Sequence, residues 1–224
     1  MLTPALRIAS KDLRLSLRGA QGLAQTALLG LLLIFVFSLS RKPGDPVPAL
    51  AAAAIFWLSS LFAQVLVFNG LYSLEENNGA RLGLAMAPMP PQAVWLGKAL
   101  AGITLLLICQ CVFALAVAAF LGQSVEGSPL IGAATVVTVD VGLAALGSLM
   151  GALASGKSSR ESLLTVVFFP LIIPVLLAGI RLLEGVLTAG EGASLDWLGM
   201  AAAFAAVFSA AAIVLFPHLY TGEE

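Results

Sequence analysis

The sequence EENNGARLGLAMAP, residues 75–88, is the longest polar interruption in a chain that is otherwise strongly apolar. Two acids and two amides open it, an apolar patch follows, and Pro88 closes it. Because proline ends helices, we expect a short surface helix within residues 74–88 of a membrane protein. A polar segment of this kind in a hydrophobic bundle indicates a place where a soluble protein makes contact.

The composition on either side of this segment is that of a membrane protein. Of the 224 residues, 60% are hydrophobic and 10% are charged, whereas soluble domains carry roughly 25% charged residues. Apolar runs that reach the roughly 20 residues needed to cross a bilayer recur along the chain. We therefore predict an all-α membrane protein with a single membrane domain, residues 1–224. The few basic residues form no extended patch, which argues against nucleic-acid binding.

Hydropathy divides the chain into an amphipathic helix followed by six transmembrane helices. In residues 2–20, basic residues recur on one face and leucines line another, and a helix of this type lies among lipid headgroups. The loop of residues 182–196 is a candidate re-entrant or interfacial hairpin. The six predicted spans are approximately residues 22–40, 49–70, 99–121, 129–154, 162–181 and 197–217.

The distribution of basic residues predicts the orientation in the membrane. With the N-terminus in the cytoplasm, eight Lys and Arg residues lie on the inner side and three on the outer side, and cytoplasmic loops carry such an excess. Six spans return the C-terminus to the cytoplasm. Residues 74–88 then face the cytoplasm as well.

Several motifs resemble those of one permease family. They are Lys11-Asp12-Leu13-Arg14, then Glu75-Glu76 with Gly79, Pro88 and Gly97-Lys98, then GLAALG at 142–147, RESLL at 160–164 and FPLIIPV at 169–175. In this arrangement the chain resembles the haem exporter B family, the B subunits of cytochrome c maturation systems, a branch of the ABC-2-type permeases. Asp140 departs from the pattern, because similar proteins usually have an apolar residue there.

The resemblance implies a fold and a set of partners. Such proteins have six membrane helices, an N-terminal elbow helix (here residues 2–20) and a cytoplasmic coupling helix between spans two and three (here residues 74–88). They lie in the bacterial inner membrane and are moved by a separate soluble ABC ATPase, which binds the ATP. They assemble with a haem-handling C subunit and a small D subunit, and the complex releases the haem-loaded periplasmic chaperone E. Haem is the candidate substrate of the complex, and no cofactor is expected on this chain itself.

The candidate coupling residues belong to the polar segment and the start of the next span. They are Glu75, Glu76, Gly79, Arg81, Pro88 and Lys98. Glu75 and Glu76 are predicted to pair with basic residues of an ATPase, or locally with Arg81. The alternative is a solvated helix start, where acids favour the helix dipole, and the two interpretations are compatible. No catalytic residue and no metal site are predicted.

Two features lie inside the predicted spans. Asp140 is an intramembrane acid, which is rare and often functional. Its candidate partners are Thr135, Thr138 or a basic residue of another subunit, and a neutral, hydrogen-bonded acid without a functional role is the alternative. Pro170 and Pro174 are predicted to bend or break the fifth span.

The sequence GALASGKS at residues 151–158 matches the phosphate-binding pattern G-x-x-x-x-G-K-[ST]. That motif requires a preceding strand and a nucleotide-binding domain, whereas here its first half ends a predicted span. We therefore interpret it as a small-residue helix end followed by a cytoplasmic lysine. Two alternative functions stay open from the sequence: a permease for a lipid, drug or polysaccharide, and a membrane scaffold that transports nothing.

Overall fold

The apolar runs of the sequence form long helices in the computed structural model, which describes residues 1–19, 21–42, 45–77, 79–154, 158–188 and 195–221. These residues contain no strand, so the predicted all-α class is confirmed for them. In chain order the helices are α1 (Leu2–Arg18), α2 (Gln21–Leu39), α3 (Ala49–Asn77), α4 (Ala80–Ala85), α5 (Pro91–Leu121), α6 (Pro129–Ala154), α7 (Ser158–Leu187) and α8 (Leu195–Thr221).

Six of the described helices are long and apolar enough to cross a membrane, judged by length and composition. Their number and order agree with the six predicted spans, and the chain is a multi-pass membrane protein. Their apolar segments are Gly22–Leu39, Ala49–Ser73, Pro91–Leu121, Pro129–Leu153, Phe169–Leu187 and Leu195–His218.

The connection between α3 and α5 contains one short helix within residues 74–88, as expected, but the first part of this range belongs to α3. Helix α3 continues to Asn77, and Gly79 then adopts a left-handed backbone with φ of 63°, which glycine takes without strain. The six-residue helix α4 follows, and α5 begins at Pro91 instead of the predicted residue 99. Proline is accommodated in the first turn of a helix because the amide hydrogen that it lacks has no partner there. We call residues 71–98 the α3–α5 hairpin.

Helix α7 is continuous through both of its prolines, Pro170 and Pro174. The prolines therefore do not break the helix, because membrane helices tolerate proline where neighbouring groups and small backbone adjustments satisfy the freed carbonyls. The alternative outcome, a bend at the prolines, stays a prediction. Residues 182–187, which were predicted to belong to the following loop, continue α7. The rest of the predicted loop hairpin falls mainly on residues 189–194, which lie outside the described residues.

Helix α1 is docked along α5 in addition to presenting the amphipathic surface predicted for residues 2–20. Its buried face consists of Ala5, Ile8, Ala9 and Asp12. Gly97 on α5 makes this close approach feasible, since a Cβ atom there would lie 2.7 Å from the Ala5 carbonyl oxygen and 2.8 Å from Ile8 Cβ. The basic residues Arg7, Arg14 and Arg18 and the apolar residues Leu2, Leu6 and Leu17 are exposed on other faces of α1.

Small residues bring the spans into contact elsewhere in the bundle, as small residues do in membrane proteins. Cβ atoms at Gly102 on α5 and Gly147 on α6 would both overlap the ring of Phe68 on α3. One turn further along α6, a Cβ at Gly151 would overlap the ring of Tyr72. Helices α3, α5 and α6 therefore pack closely at the level of the α3–α5 hairpin, where the charged residues converge.

Candidate functional site

Helices α1, α3 and α5 bring four charged side chains together at the base of the α3–α5 hairpin. The Lys98 ammonium nitrogen lies 3.0 Å from Glu75 Oε1 and 3.4 Å from Asp12 Oδ2. The Lys11 ammonium nitrogen lies 3.0 Å from the same Glu75 oxygen and 3.0 Å from Asp12 Oδ1. We call these four residues the charge cluster. Each lysine contacts both acids. The cluster is electrically balanced because it contains two ammonium groups and two carboxylate groups.

The charge cluster is largely removed from solvent. The Lys98 side chain is 0% exposed, and the side chains of Asp12 and Glu75 are 4% and 6% exposed, whereas Lys11 is 40% exposed. Buried charges are tolerated only when they are paired and their hydrogen bonds are satisfied. Lys98 meets this condition, because it also donates a hydrogen bond to the Leu71 carbonyl oxygen at 2.9 Å and lies 4.6 Å from the centroid of the Tyr72 ring.

The sequence places these groups by helical periodicity. On α3, Leu71 and Tyr72 lie four and three residues before Glu75, so each is on the same side of the helix as Glu75, and all three contact Lys98. On α5, Gly97 immediately precedes Lys98 and lets α1 approach. Asp12 lies one turn beyond Ile8 on the buried face of α1, and it therefore reaches Lys98.

Lys11 keeps its charge under physiological conditions. Burial acts to lower the pKa of Lys11, but hydrogen bonds with Glu75 and Asp12 and the nearby negative charges outweigh it, and the pKa is raised above the ordinary 10.5. Lys11 thus acts as a cation that holds α1 to the end of α3.

A hydrogen bond connects the charge cluster to a fourth helix. The Tyr72 hydroxyl and the Ser148 hydroxyl on α6 lie 2.7 Å apart and are both buried. Tyr72 thus contacts Lys98 through its ring and α6 through its oxygen. The hairpin end of α3 is therefore in polar contact with α1, α5 and α6.

The predicted coupling residues fall into two groups in the structure. Glu75 and Lys98 are buried in the charge cluster, so neither carboxylate nor ammonium group is available at the surface of this chain for a partner. Gly79 and Pro88 are exposed on the hairpin, next to Met86, which is 79% exposed. The side chains of Glu76 and Arg81 lie outside the described residues, so the predicted local pairing with Arg81 stays a prediction.

Asp140 has a different partner from those predicted. It is fully buried in α6 and accepts a hydrogen bond of 2.8 Å from the side-chain nitrogen of Gln110 on α5. Thr135, one of the expected partners, instead donates to the carbonyl oxygen of Ile131. Gln110 was not among the residues predicted from the sequence, although a glutamine in the middle of an apolar run is itself a signal, because a buried amide requires partners.

The remaining sequence motifs do not form a site in the described residues. No group of three or more His, Cys, Asp or Glu side chains that could hold a metal ion is found in that part of the chain. Cys109 is buried and Cys111 is exposed, as expected for residues on different sides of one helix. Of the phosphate-binding pattern, Gly151 lies inside α6 and residues 155–157 are outside the described part.

The contact of Lys11 and Asp12 with Glu75 and Lys98 was also not predicted from the sequence. A usable signal was present, since Asp12 is the one acid in a helix with four basic residues. It lies away from the basic face, on the buried face. An acid on the buried face of a helix requires a cation on the element that covers it.

Comparison with known proteins places the whole chain in one family. The CcmB protein family model matches residues 3–219. Heme exporter protein B of Rhodobacter capsulatus is 29% identical over 218 residues, which cover 94% of this chain and 93% of that protein. Heme exporter protein B of Pseudomonas aeruginosa is 26% identical over 222 residues, which cover 96% of this chain and 97% of that protein.

Proposed function

The chain belongs to the CcmB protein family, and we propose that it is the membrane permease subunit of an ABC transporter complex for cytochrome c maturation. The similar proteins carry the name heme exporter protein B, which supports haem as the substrate of the complex. In this proposal the complex exports haem or releases the haem-loaded periplasmic chaperone E, driven by ATP. In the same proposal the chain lies in the bacterial inner membrane, with both termini and the α3–α5 hairpin in the cytoplasm.

The proposed work of this chain is mechanical. A soluble ABC ATPase binds ATP and contacts the hairpin at Glu76, Arg81, Met86 and Pro88, of which Met86 and Pro88 are exposed. The C and D subunits bind alongside in the membrane and handle haem, and this chain catalyses no reaction and holds no cofactor. Binding of the ATPase can shift this chain from one conformation to another only if the free energy of their contact differs between the two conformations. The hairpin that the ATPase contacts must therefore be firmly attached to the spans.

The charge cluster is the observation that supports this mechanism most directly. It joins both ends of the hairpin, through Glu75 on α3 and Lys98 on α5, to each other and to α1. Lys98 is fully buried and each acid contacts two lysines. One arm of the hairpin, α3 or α5, therefore cannot move alone without separating buried charges, which is costly. Force on the hairpin is therefore passed to α1, α3 and α5 as a unit.

Two variants separate binding of the ATPase from transmission of its motion. Glu76→Lys changes a hairpin residue outside the charge cluster, and we expect loss of ATPase co-purification with the complex. Lys98→Met changes the cluster from within, and we expect the ATPase to stay bound while the yield of c-type cytochrome in a deletion strain falls. Arg14→Met, on the exposed face of α1, is the matched control and should change neither.

Opposite results count against the proposal. If Glu76→Lys retained the ATPase and supported full cytochrome yield, the hairpin would not be the docking element. If Lys98→Met was inserted in the membrane at the normal level and supported full cytochrome yield, the charge cluster would not transmit the motion. Failure of the deletion strain to lose c-type cytochromes would refute the proposed role in cytochrome c maturation itself.

A further inference from the structure

The contact between Gln110 and Asp140 leaves two oxygen atoms without hydrogen bonds. Gln110 donates from Nε2 to Asp140 Oδ1 at 2.8 Å. The second oxygen of the carboxyl group, Oδ2, and the amide oxygen of the glutamine, Oε1, are both buried without a partner among the described residues. The two unpartnered atoms therefore belong to the same two groups that already share one hydrogen bond.

An ionised carboxylate is poorly supported in this position. Asp140 is 0% exposed, and Gln110 is 3% exposed, so water does not solvate the pair. A charge at this depth of a membrane helix is costly unless it is paired. None of the ion pairs formed among the described residues includes Asp140, and a single neutral amide donor does not replace hydration.

Charged groups on the helices that pack around the pair lie elsewhere. Lys98 is the one charged residue of α5, and it is about 18 Å from Gln110 along the helix axis at 1.5 Å per residue. Asp140 is itself the one charged residue of α6. The remaining acidic and basic residues of α3, α7 and α8 lie towards the helix ends, and two of them, Arg181 and Glu184, pair with each other. They are Glu75, Glu76, Arg160, Glu161, Arg181, Glu184, Asp196 and His218. The other titratable side chains of α3, α5 and α8 are the thiols and phenols of Cys109, Cys111, Tyr72 and Tyr220.

We propose that Asp140 binds a proton and, with Gln110, forms a neutral pair joined by two hydrogen bonds that fastens α5 to α6. A proton on Oδ2 supplies the one donor that the pair lacks, and Gln110 Oε1 is the acceptor that lacks a donor. One proton therefore satisfies both unpartnered oxygens and removes the buried charge. One O–H bond forms on Oδ2 as one O–H bond of a hydronium ion from the surrounding water breaks, which leaves a water molecule.

The pair has a consequence for the motion of the spans. Tyr72 on α3 already links α5 to α6, because it contacts Lys98 with its ring and Ser148 with its hydroxyl group. The Gln110–Asp140 pair is a second, direct link between α5 and α6. Separation of α5 from α6 would break both hydrogen bonds and expose the carboxyl group to water. The inference itself concerns this chain alone and does not depend on which substrate the complex handles.

Infrared difference spectroscopy on the full-length chain in lipid tests for the proton directly. The wild-type minus Asp140→Asn spectrum at neutral pH should contain the carbonyl stretch of a protonated carboxyl group. The matched control is Asp196→Asn, which removes an exposed acid and should yield carboxylate bands in the corresponding difference spectrum. If the Asp140→Asn difference contained carboxylate bands only, the proposal would be overturned.

Thermal unfolding in detergent supplies an independent readout. Asparagine at position 140 can donate to Gln110 Oε1 and accept from Gln110 Nε2, so it preserves both hydrogen bonds of the neutral pair. We expect Asp140→Asn to unfold at the wild-type temperature, and Asp140→Ala and Gln110→Met to unfold at lower temperatures. If Asp140→Asn failed to fold, or unfolded as early as Asp140→Ala, the residue would be acting as a charge and the proposal would be wrong.

Discussion

Replacement of Lys98 by methionine removes the central cation of the charge cluster while nearly preserving the volume of the side chain. In the wild-type chain the Lys98 ammonium contacts Glu75 at 3.0 Å, Asp12 at 3.4 Å and the Leu71 carbonyl oxygen at 2.9 Å. Methionine makes none of these contacts, so two buried carboxylates lose their fully buried partner. Removal of one member of a buried ion pair costs about 3–5 kcal/mol, because the other member is left uncompensated.

Lys11 limits this loss only slightly. It stays within 3.0 Å of both acids, but its side chain is 40% exposed, and exposed ion pairs contribute about 0–1 kcal/mol. We therefore expect Lys98→Met to lower the free energy of unfolding by about 3 kcal/mol or more. The double variant Lys98→Glu with Glu75→Lys keeps the cluster balanced and should recover part of this loss.

Reversible unfolding in mixed detergent micelles, followed by circular dichroism, measures the change. Arg14→Met is the matched control because Arg14 is exposed on α1, and surface substitutions usually change stability by less than about 0.5 kcal/mol. If Lys98→Met and Arg14→Met had the same free energy of unfolding, the charge cluster would not hold the three helices together. A double variant no more stable than Lys98→Met would show that pairing is not the source of the effect.

Three further changes test neighbouring contacts. Gly97→Ala places a methyl group against the backbone of α1 and should lower the free energy of unfolding by about 1–3 kcal/mol through overpacking. Gly70→Ala is the control, because a Cβ atom there meets nothing within 4 Å, and it should not lower the free energy of unfolding. Thermal unfolding compares the two variants. Tyr72→Phe removes the 2.7 Å contact with Ser148 and should cost about 1 kcal/mol, with no additional loss when Ser148→Ala is combined with it in a double-mutant cycle. The pKa of Lys11 is raised in the folded chain above the ordinary 10.5. Its contribution to stability is therefore complete below pH 10.5 and is lost as the pH rises through the pKa of the folded state. Unfolding curves between about pH 9 and 12 should show a loss of stability at alkaline pH that Lys11→Met lacks.

Hydropathy alone predicted the number and order of the six spans. The bilayer imposes a minimum apolar length on each spanning helix, so the long runs around residues 49–70 and 99–121 could be recognised without any knowledge of their packing. The helix ends were less predictable. Helix α3 extends to Asn77 and α5 begins at Pro91, because polar residues at the membrane surface continue a helix until a turn residue or a proline intervenes.

The charge cluster could not be assembled from the sequence, although its members were visible there. Glu75 and Lys98 were predicted to act on a partner, because their burial depends on how α3 and α5 pack against α1. Asp12 carried a signal on its own helix, but the cation that it requires lies 86 positions away in sequence. The continuity of α7 through Pro170 likewise depends on neighbouring helices that satisfy its backbone, and local sequence does not specify them.

Accessibility of the α3–α5 hairpin tests most directly the claim that a cytoplasmic ATPase moves it. Met86→Cys places a thiol on the exposed hairpin, Glu126→Cys places one in the exposed connection between α5 and α6, and the wild-type chain supplies the background from Cys109 and Cys111. A thiol reagent that cannot cross the membrane should label Glu126→Cys in intact spheroplasts and Met86→Cys only after the membrane is broken. Labelling of Met86→Cys in intact spheroplasts would contradict the account.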